Sequence, residues 1–265
     1  MISSALPVVL QEYLKFCEIR KNAEHTKIID LSPYTWFYPS SMLPLCNLLK
    51  NTRGSMGVIS PHESVTHYIS VIMGTSYISS TYVPITYLPR ERREVSSVIT
   101  QLQELHDNGI YYGGINAFNF LIGELIDNIY QHSKFTNASI MAQRYEKKRF
   151  TEISIFDDGI SIPKCFENHG LYSKHDANAI QKAISGLSTK DKSRGYGLNT
   201  SINIYVNGVG GSLLLISRNG AFYLKNDDDS GRKLYSLSSE YKLDGTLITF
   251  RIPYPVKEVN IYDYV

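Results

Sequence analysis

The sequence predicts an α+β protein, and three observations carry that expectation. Short β-branched runs alternate with helix-like segments in the first third of the chain. A long amphipathic segment, NFLIGELIDNIYQHS, occupies the middle. Alternating strands and hairpin signals fill the last third. The 265 residues suffice for one large or two modest domains with a buried core.

HTKIIDLS reads as a strand, and PSSMLPLCNLLK as a helix in which Leu43, Leu45, Cys46, Leu48 and Leu49 recur at three- and four-residue spacing. MGVIS is a further strand, SVTHYISVIMG a helix and STYVPITYLP a strand. This order predicts a small α/β layer with parallel pairing over residues 1–90, closed by the charged PRERREV, with a second domain over 91–265. REVSSVITQLQELHDNG reads as a helix stopped at Asn108-Gly109. The helix around 116–133 carries Phe120, Leu121, Leu125, Ile126 and Ile129 on one face. ASIMAQRYE and TEISIFDDG read as neighbouring strands, GSLLLISRNGAFYLKN as a hairpin turning at Asn219-Gly220, and GTLITFRIPY as the final strand. The run Asp227-Asp228-Asp229 reads as a solvated loop.

Composition narrows the function classes. A net charge of +2 gives no global field that would favour nucleic acid or anionic lipid. Three widely spaced cysteines argue against a disulfide framework and fit a reducing compartment. No apolar run approaches the roughly 18–20 residues that span a bilayer, and the N-terminus lacks a secretory pattern. The expectation is a soluble cytoplasmic protein.

Three segments carry chemistry. Glu124 and Asn128, one helical turn apart, share a face. A carboxylate there can orient and deprotonate a water, and the amide oxygen can bind Mg²⁺. Taken alone, such a pair also fits a solvent-facing stripe. Asp157-Asp158-Gly159 follows an apolar strand, placing a carboxylate at a sheet end and a glycine where backbone can approach a ligand. The carboxylate can accept a hydrogen bond from an exocyclic amine; an ordinary turn is the plainer reading. Arg194-Gly195-Tyr196-Gly197-Leu198 precedes the apolar helix candidate LNTSINIYV, and its amides can converge on a phosphate. Ser188, Thr189 and Lys190 can supply hydroxyls and an ammonium to the same group. A surface loop is the competing reading.

In this order, with a terminal Gly-Thr strand, the motifs resemble the GHKL ATPase superfamily of gyrase B subunits, heat-shock chaperones, histidine kinases and MutL-type proteins. The resemblance covers roughly residues 110–254. It implies a two-layer α/β sandwich, with helices over one face of a mixed sheet and a mobile lid over ATP·Mg²⁺. It further implies that Glu124 is the catalytic base, Asn128 the Mg²⁺ ligand and Asp157 the adenine-binding carboxylate, with Gly159 and Ser161 beside it. Gly195, Tyr196, Gly197 and Leu198 take the lid positions, Lys190 lies in the lid, and Thr246 supports the base. Ser161 and Ser193 stand where the family has glycine. His132 matches a family histidine, with Gln131 in place of the usual lysine. Histidine kinases usually have asparagine at the position of Glu124 and need a phospho-acceptor histidine on a dimerising helical hairpin; His106, near the end of the single helix over 91–108, lacks the usual acidic-proline context.

IIDLSPYTWFYPSSMLPLCNLL resembles the strand–turn–helix of STAS domains, which implies a phosphorylatable serine at Ser40 or Ser41. Simple helix capping is the alternative for both. The functional expectation is an ATP·Mg²⁺-dependent ATPase acting as a regulatory switch. One alternative is an anti-sigma-type serine/threonine kinase, acting on a STAS-like partner or on its own N-terminal unit. Another is an inactive ATP-sensing module. The expected partners are ATP together with a regulatory protein or a second copy, with neither nucleic acid nor membrane involved.

Overall fold

The computed structural model describes residues 6–59, 62–73, 82–186, 197–226 and 231–264. The chain is α+β. A sheet of seven strands, in the order β3 (Tyr82–Tyr87), β4 (Ala138–Tyr145), β5 (Phe150–Asp157), β9 (Leu243–Pro253), β6 (Ser212–Arg218), β7 (Gly220–Lys225), β8 (Arg232–Ser236), is antiparallel at every pairing, and a separate pair, β1 (Ile28–Asp30) and β2 (Gly57–Ile59), is parallel.

The N-terminal elements are α1 (Val8–Thr26), β1 (Ile28–Asp30), α2 (Pro39–Asn51), β2 (Gly57–Ile59) and α3 (Glu63–Ile72). β1 and β2 pair in parallel as the alternating pattern predicts. The third expected strand, β3 (Tyr82–Tyr87), does not join them. It lies antiparallel to β4 at the edge of the large sheet. The helices α1 and α2 bury Leu10, Tyr13, Met42 and Leu43 against Met141, Phe156, Leu214 and Leu247 on one face of that sheet. The N-terminal segment therefore shares a hydrophobic core with the later strands.

The opposite face is covered by α4 (Val95–Leu105), α5 (Ile115–Asn128), α7 (Asp176–Ile184) and α8 (Gly197–Ile202). α4 stops where Asp107, Asn108 and Gly109 all take positive φ. α5 buries Phe118, Leu121, Ile122, Leu125 and Ile126, a stripe at three- and four-residue spacing. It ends in a π turn over Ile129–Ser133, and α8 runs into a second π turn over Asn203–Gly208. Such turns recur near functional sites because they displace the following backbone.

The central strands are β4 (Ala138–Tyr145), β5 (Phe150–Asp157), β6 (Ser212–Arg218), β7 (Gly220–Lys225), β8 (Arg232–Ser236) and β9 (Leu243–Pro253). Their alternation separates the two faces. Ile153, Ile155, Leu213, Leu215, Phe250 and Ile252 face α5, while Phe156, Leu214, Ile216 and Leu247 face α1 and α2. By the same period Asp157, Ser217 and Thr246 belong to the α5 side.

The β6–β7 hairpin turns one residue earlier than its Asn-Gly signal suggests, because Ser217 pairs with Gly220 and Arg218 has φ of 55°. The guanidinium of Arg218 bonds Asp176 and Glu167, and the Asn219 N–H donates to Asp176. These contacts hold the turn at Arg218-Asn219. Gly220 is needed for another reason: a Cβ there would lie 2.6 Å from the backbone nitrogen of Ala177 in α7. Among the described residues no helix is long and apolar enough to cross a membrane.

Candidate nucleotide site

The sequence-derived residues divide into two groups joined by α5. At the sheet end, Asp157 is the last residue of β5 and pairs directly with Thr246 of β9, which pairs in turn with Ser217 of β6. All three side chains are buried. They form one polar row across three adjacent strands, on the face that otherwise buries aliphatic side chains. Burial pushes the Asp157 carboxyl up to about 7, with Asp158 adding to the rise. Ser133 and the Gly159 N–H, which donates to Asp157 Oδ1 at 3.0 Å, oppose it. Among the described residues no cation pairs with it. Its neighbour Asp158 does a different job, accepting from the N–H groups of Thr136 and Asn137 at 2.7 Å each and so fixing the loop.

Gly159 is a glycine because of contact. A Cβ there would lie 2.1 Å from the Ser133 carbonyl oxygen. Ser133 stands at that position because the π turn at the end of α5 carries it over the sheet end, where its carbonyl also accepts from the Ile160 N–H. Gly245 combines φ of +98° with an approach of 1.9 Å between an added Cβ and the Asp157 carbonyl oxygen. Ser161 takes an extended backbone (φ −66°, ψ 155°) and caps α6 (Ile162–Asn168), accepting from the Lys164 N–H. Ser161 thus meets no backbone strain. A cleft of about 290 Å³ opens beside this end, lined by Gly159, Ser161, Lys164, Lys242 and Gly245 among others.

Before that π turn, Glu124 and Asn128 lie one turn apart at the C-terminal end of α5, both partly buried. The backbone of Gly197, where α8 begins, comes so close that an added Cβ would sit 1.5 Å from Glu124 Oε2. Leu198 packs at the margin of the same core. Glu124 and Ser133 are nine residues apart, roughly 13 Å along the helix. Ser188, Thr189, Lys190, Ser193, Arg194, Gly195 and Tyr196 lie outside the described residues, as does the run Asp227–Asp229.

The remaining candidates have structural surroundings. Ser40 and Ser41 are fully buried. Ser41 Oγ accepts from the Tyr38 N–H at 3.2 Å, and the Ser40 N–H donates to the buried Glu152 carboxylate at 2.9 Å. A carboxylate thus already occupies the α2 N-terminus where a phosphate would sit, and this burial favours capping over phosphorylation. His106 is buried against Tyr112 (Nδ1 to the hydroxyl, 2.6 Å), and desolvation lowers its pKa to about 3. A ring so enclosed cannot serve as an exposed phospho-acceptor. His132 lies in the π turn, its Nδ1 3.9 Å from Cys165 Sγ.

Ser217 is the residue that motif reasoning missed. A signal was present: in LLLIS it falls at the alternate position after Leu213 and Leu215, where the core period calls for an apolar side chain. No group of three His, Cys, Asp or Glu residues able to hold a metal occurs among the described residues. A Mg²⁺ ion bound by one side-chain oxygen, substrate phosphates and waters needs no such cluster, so the Glu124–Asn128 oxygens are compatible with that ion. No protein-family model matches the chain, and no curated protein matches it.

Proposed function

We propose that the protein binds ATP·Mg²⁺ in the manner of GHKL ATPases and works as a nucleotide-dependent regulatory switch in the cytoplasm. The observation that carries this reading is the placement of two carboxylates near the C-terminal end of α5. Asp157, with no cation paired to it among the described residues, lies beside the π turn that ends the helix, and Glu124 lies one turn before the helix ends, against the opening turn of α8. In this reading a nucleoside triphosphate runs from its base at Asp157 to its terminal phosphate at Glu124.

In this reading Asp157 accepts a hydrogen from the exocyclic amine of adenine, and Thr246 holds the base edge. Glu124 orients a water and takes its proton as the water oxygen attacks the terminal phosphorus, releasing ADP and phosphate. Asn128 would hold Mg²⁺, which when bound neutralises charge on the phosphate oxygens. Nucleotide binding would change how a regulatory partner or a second copy docks. The three free, buried cysteines support a reducing compartment. Kinase action on Ser40 or Ser41 of the same chain runs against the burial of both hydroxyls, although transfer to a separate protein is compatible with the same site.

Phosphate release from ATP tests the catalytic part. Glu124→Ala is expected to lower turnover by roughly 100-fold or more while ATP still binds. Unchanged turnover in that variant would remove Glu124 from the mechanism.

A further inference from the structure

We propose that Ser217 is a specificity-determining residue, turning the Thr246 hydroxyl proton inward so that the Thr246–Asp157 edge offers only hydrogen-bond acceptors to its ligand. This rests on the nucleotide reading above and names what that site selects: a purine bearing an amino group rather than an oxo group at position 6.

The argument is one of hydrogen-bond accounting. Ser217 Oγ is fully buried and has three polar neighbours: the Ile162 N–H at 2.9 Å, the Gly245 carbonyl at 3.0 Å and Thr246 Oγ1 at 3.0 Å. A hydroxyl has one proton and two lone pairs. The Ile162 N–H can only donate, so it takes one lone pair. The Gly245 carbonyl can only accept, so it takes the proton. What remains is a lone pair, and Thr246 must therefore donate to it. In the reverse orientation Ser217 would donate to Thr246, withdrawing its proton from the buried Gly245 carbonyl and leaving its own second lone pair empty. Unsatisfied buried groups of this kind are costly to maintain.

With its proton committed to Ser217, Thr246 presents only lone pairs. Its direct partner in the strand register is Asp157, whose ionised carboxylate is also an acceptor only. An amino group meets this edge with protons. A 6-oxo group in the same place would set lone pairs against lone pairs, a mismatch that binding sites reject strongly. Ser217 has no need to touch the ligand. It also holds the first turn of α6, through Ile162, to the sheet.

The test is the ratio of ATP to ITP affinity with Mg²⁺ at pH 8, measured by calorimetric titration on wild type, Ser217→Ala, Ser217→Thr and Thr246→Val. Wild type is expected to prefer ATP by roughly 10- to 100-fold. Ser217→Ala frees the Thr246 hydroxyl to rotate and donate, and should narrow that ratio several-fold. Ser217→Thr, which keeps the hydroxyl, should preserve it. Thr246→Val removes the acceptor and should narrow the ratio even if Ser217→Ala does not fold. A merely structural Ser217 would weaken both nucleotides equally, and an unchanged ratio in Ser217→Ala and Thr246→Val overturns the inference while leaving nucleotide binding intact. If wild type binds neither nucleotide, the reading of the site itself fails and takes this inference with it.

Discussion

Strand β5 buries two carboxylates on opposite faces of the sheet, and they meet different fates. Glu152, facing α1 and α2, is fully enclosed; its oxygens accept from Arg251 Nε at 2.7 Å and from the Ser40 N–H at 2.9 Å. Asp157, five residues on and facing α5, has the Gly159 N–H and Ser133 beside it and no cation among the described residues. The first is an ion pair that, through the Ser40 N–H, ties the N-terminal helices to the sheet. The second is a group that no cation among the described residues compensates. Burial alone therefore does not mark a functional carboxylate; burial without a counter-charge does.

The comparison can be broken from either side. Removing Glu152 leaves the half-buried Arg251 beside aromatic rings without its partner, so Glu152→Ala should lower the unfolding free energy by about 2–4 kcal/mol in denaturant titration. ATP affinity should survive wherever the variant remains folded. A loss of less than about 1 kcal/mol would show the pair to be dispensable.

Asp157→Asn should act in the opposite direction on stability. Burial raises the Asp157 carboxyl in the folded chain from its ordinary 3.8 to about 7. Between these values the folded chain holds a proton that the unfolded chain has released, so stability falls as pH rises from about 4 to about 7. The asparagine variant escapes that loss. It should be more stable than wild type at pH 8, by up to a few kcal/mol, with the advantage gone by pH 4. Thermal melts across this range provide the check, and a pH-independent difference would contradict the assignment. ATP binding should weaken in the same variant.

Gly159→Ala drives a methyl group into the Ser133 carbonyl. It should destabilise by roughly 1–3 kcal/mol and weaken ATP binding, because the Asp157 carboxylate loses its positioned N–H. The smallest effect belongs to the other face. Ser40 Oγ is buried without a hydrogen-bond partner, so Ser40→Ala should change stability by less than about 1 kcal/mol. It should also leave any label transferred from ATP to the chain unaltered, since the hydroxyl is enclosed.

Local pattern made much of the architecture legible. α2, α5, β5 and β9 stand close to where periodicity puts them, because each buries a continuous stripe or alternate face whose period survives in the sequence. What escaped is set by distant contacts. β3 carries the same β-branched signature as β1, and nothing in STYVPITYLP shows that it pairs with β4 rather than with the N-terminal strands. The hairpin slips by one residue because Asp176 and Glu167, more than 40 residues upstream of Arg218, hold its guanidinium. At the site, Asp157, Gly159 and Thr246 were readable as motif positions and converge at one sheet end. The close approach of Gly197 to Glu124 follows only from the packing of α8 on α5. Ser217 was hidden because a lone serine at a strand end is unremarkable until its three hydrogen-bond neighbours are in place.

The most direct measurement is calorimetric titration of ATP with Mg²⁺ at pH 8 into wild type, Asp157→Asn and Glu152→Gln. Saturable binding to wild type and to folded Glu152→Gln is expected, with affinity reduced on the order of 10- to 100-fold in Asp157→Asn. Absence of heat with wild type, or an Asp157→Asn isotherm superimposable on it, would contradict the claim that the unpaired carboxylate recognises a nucleotide base.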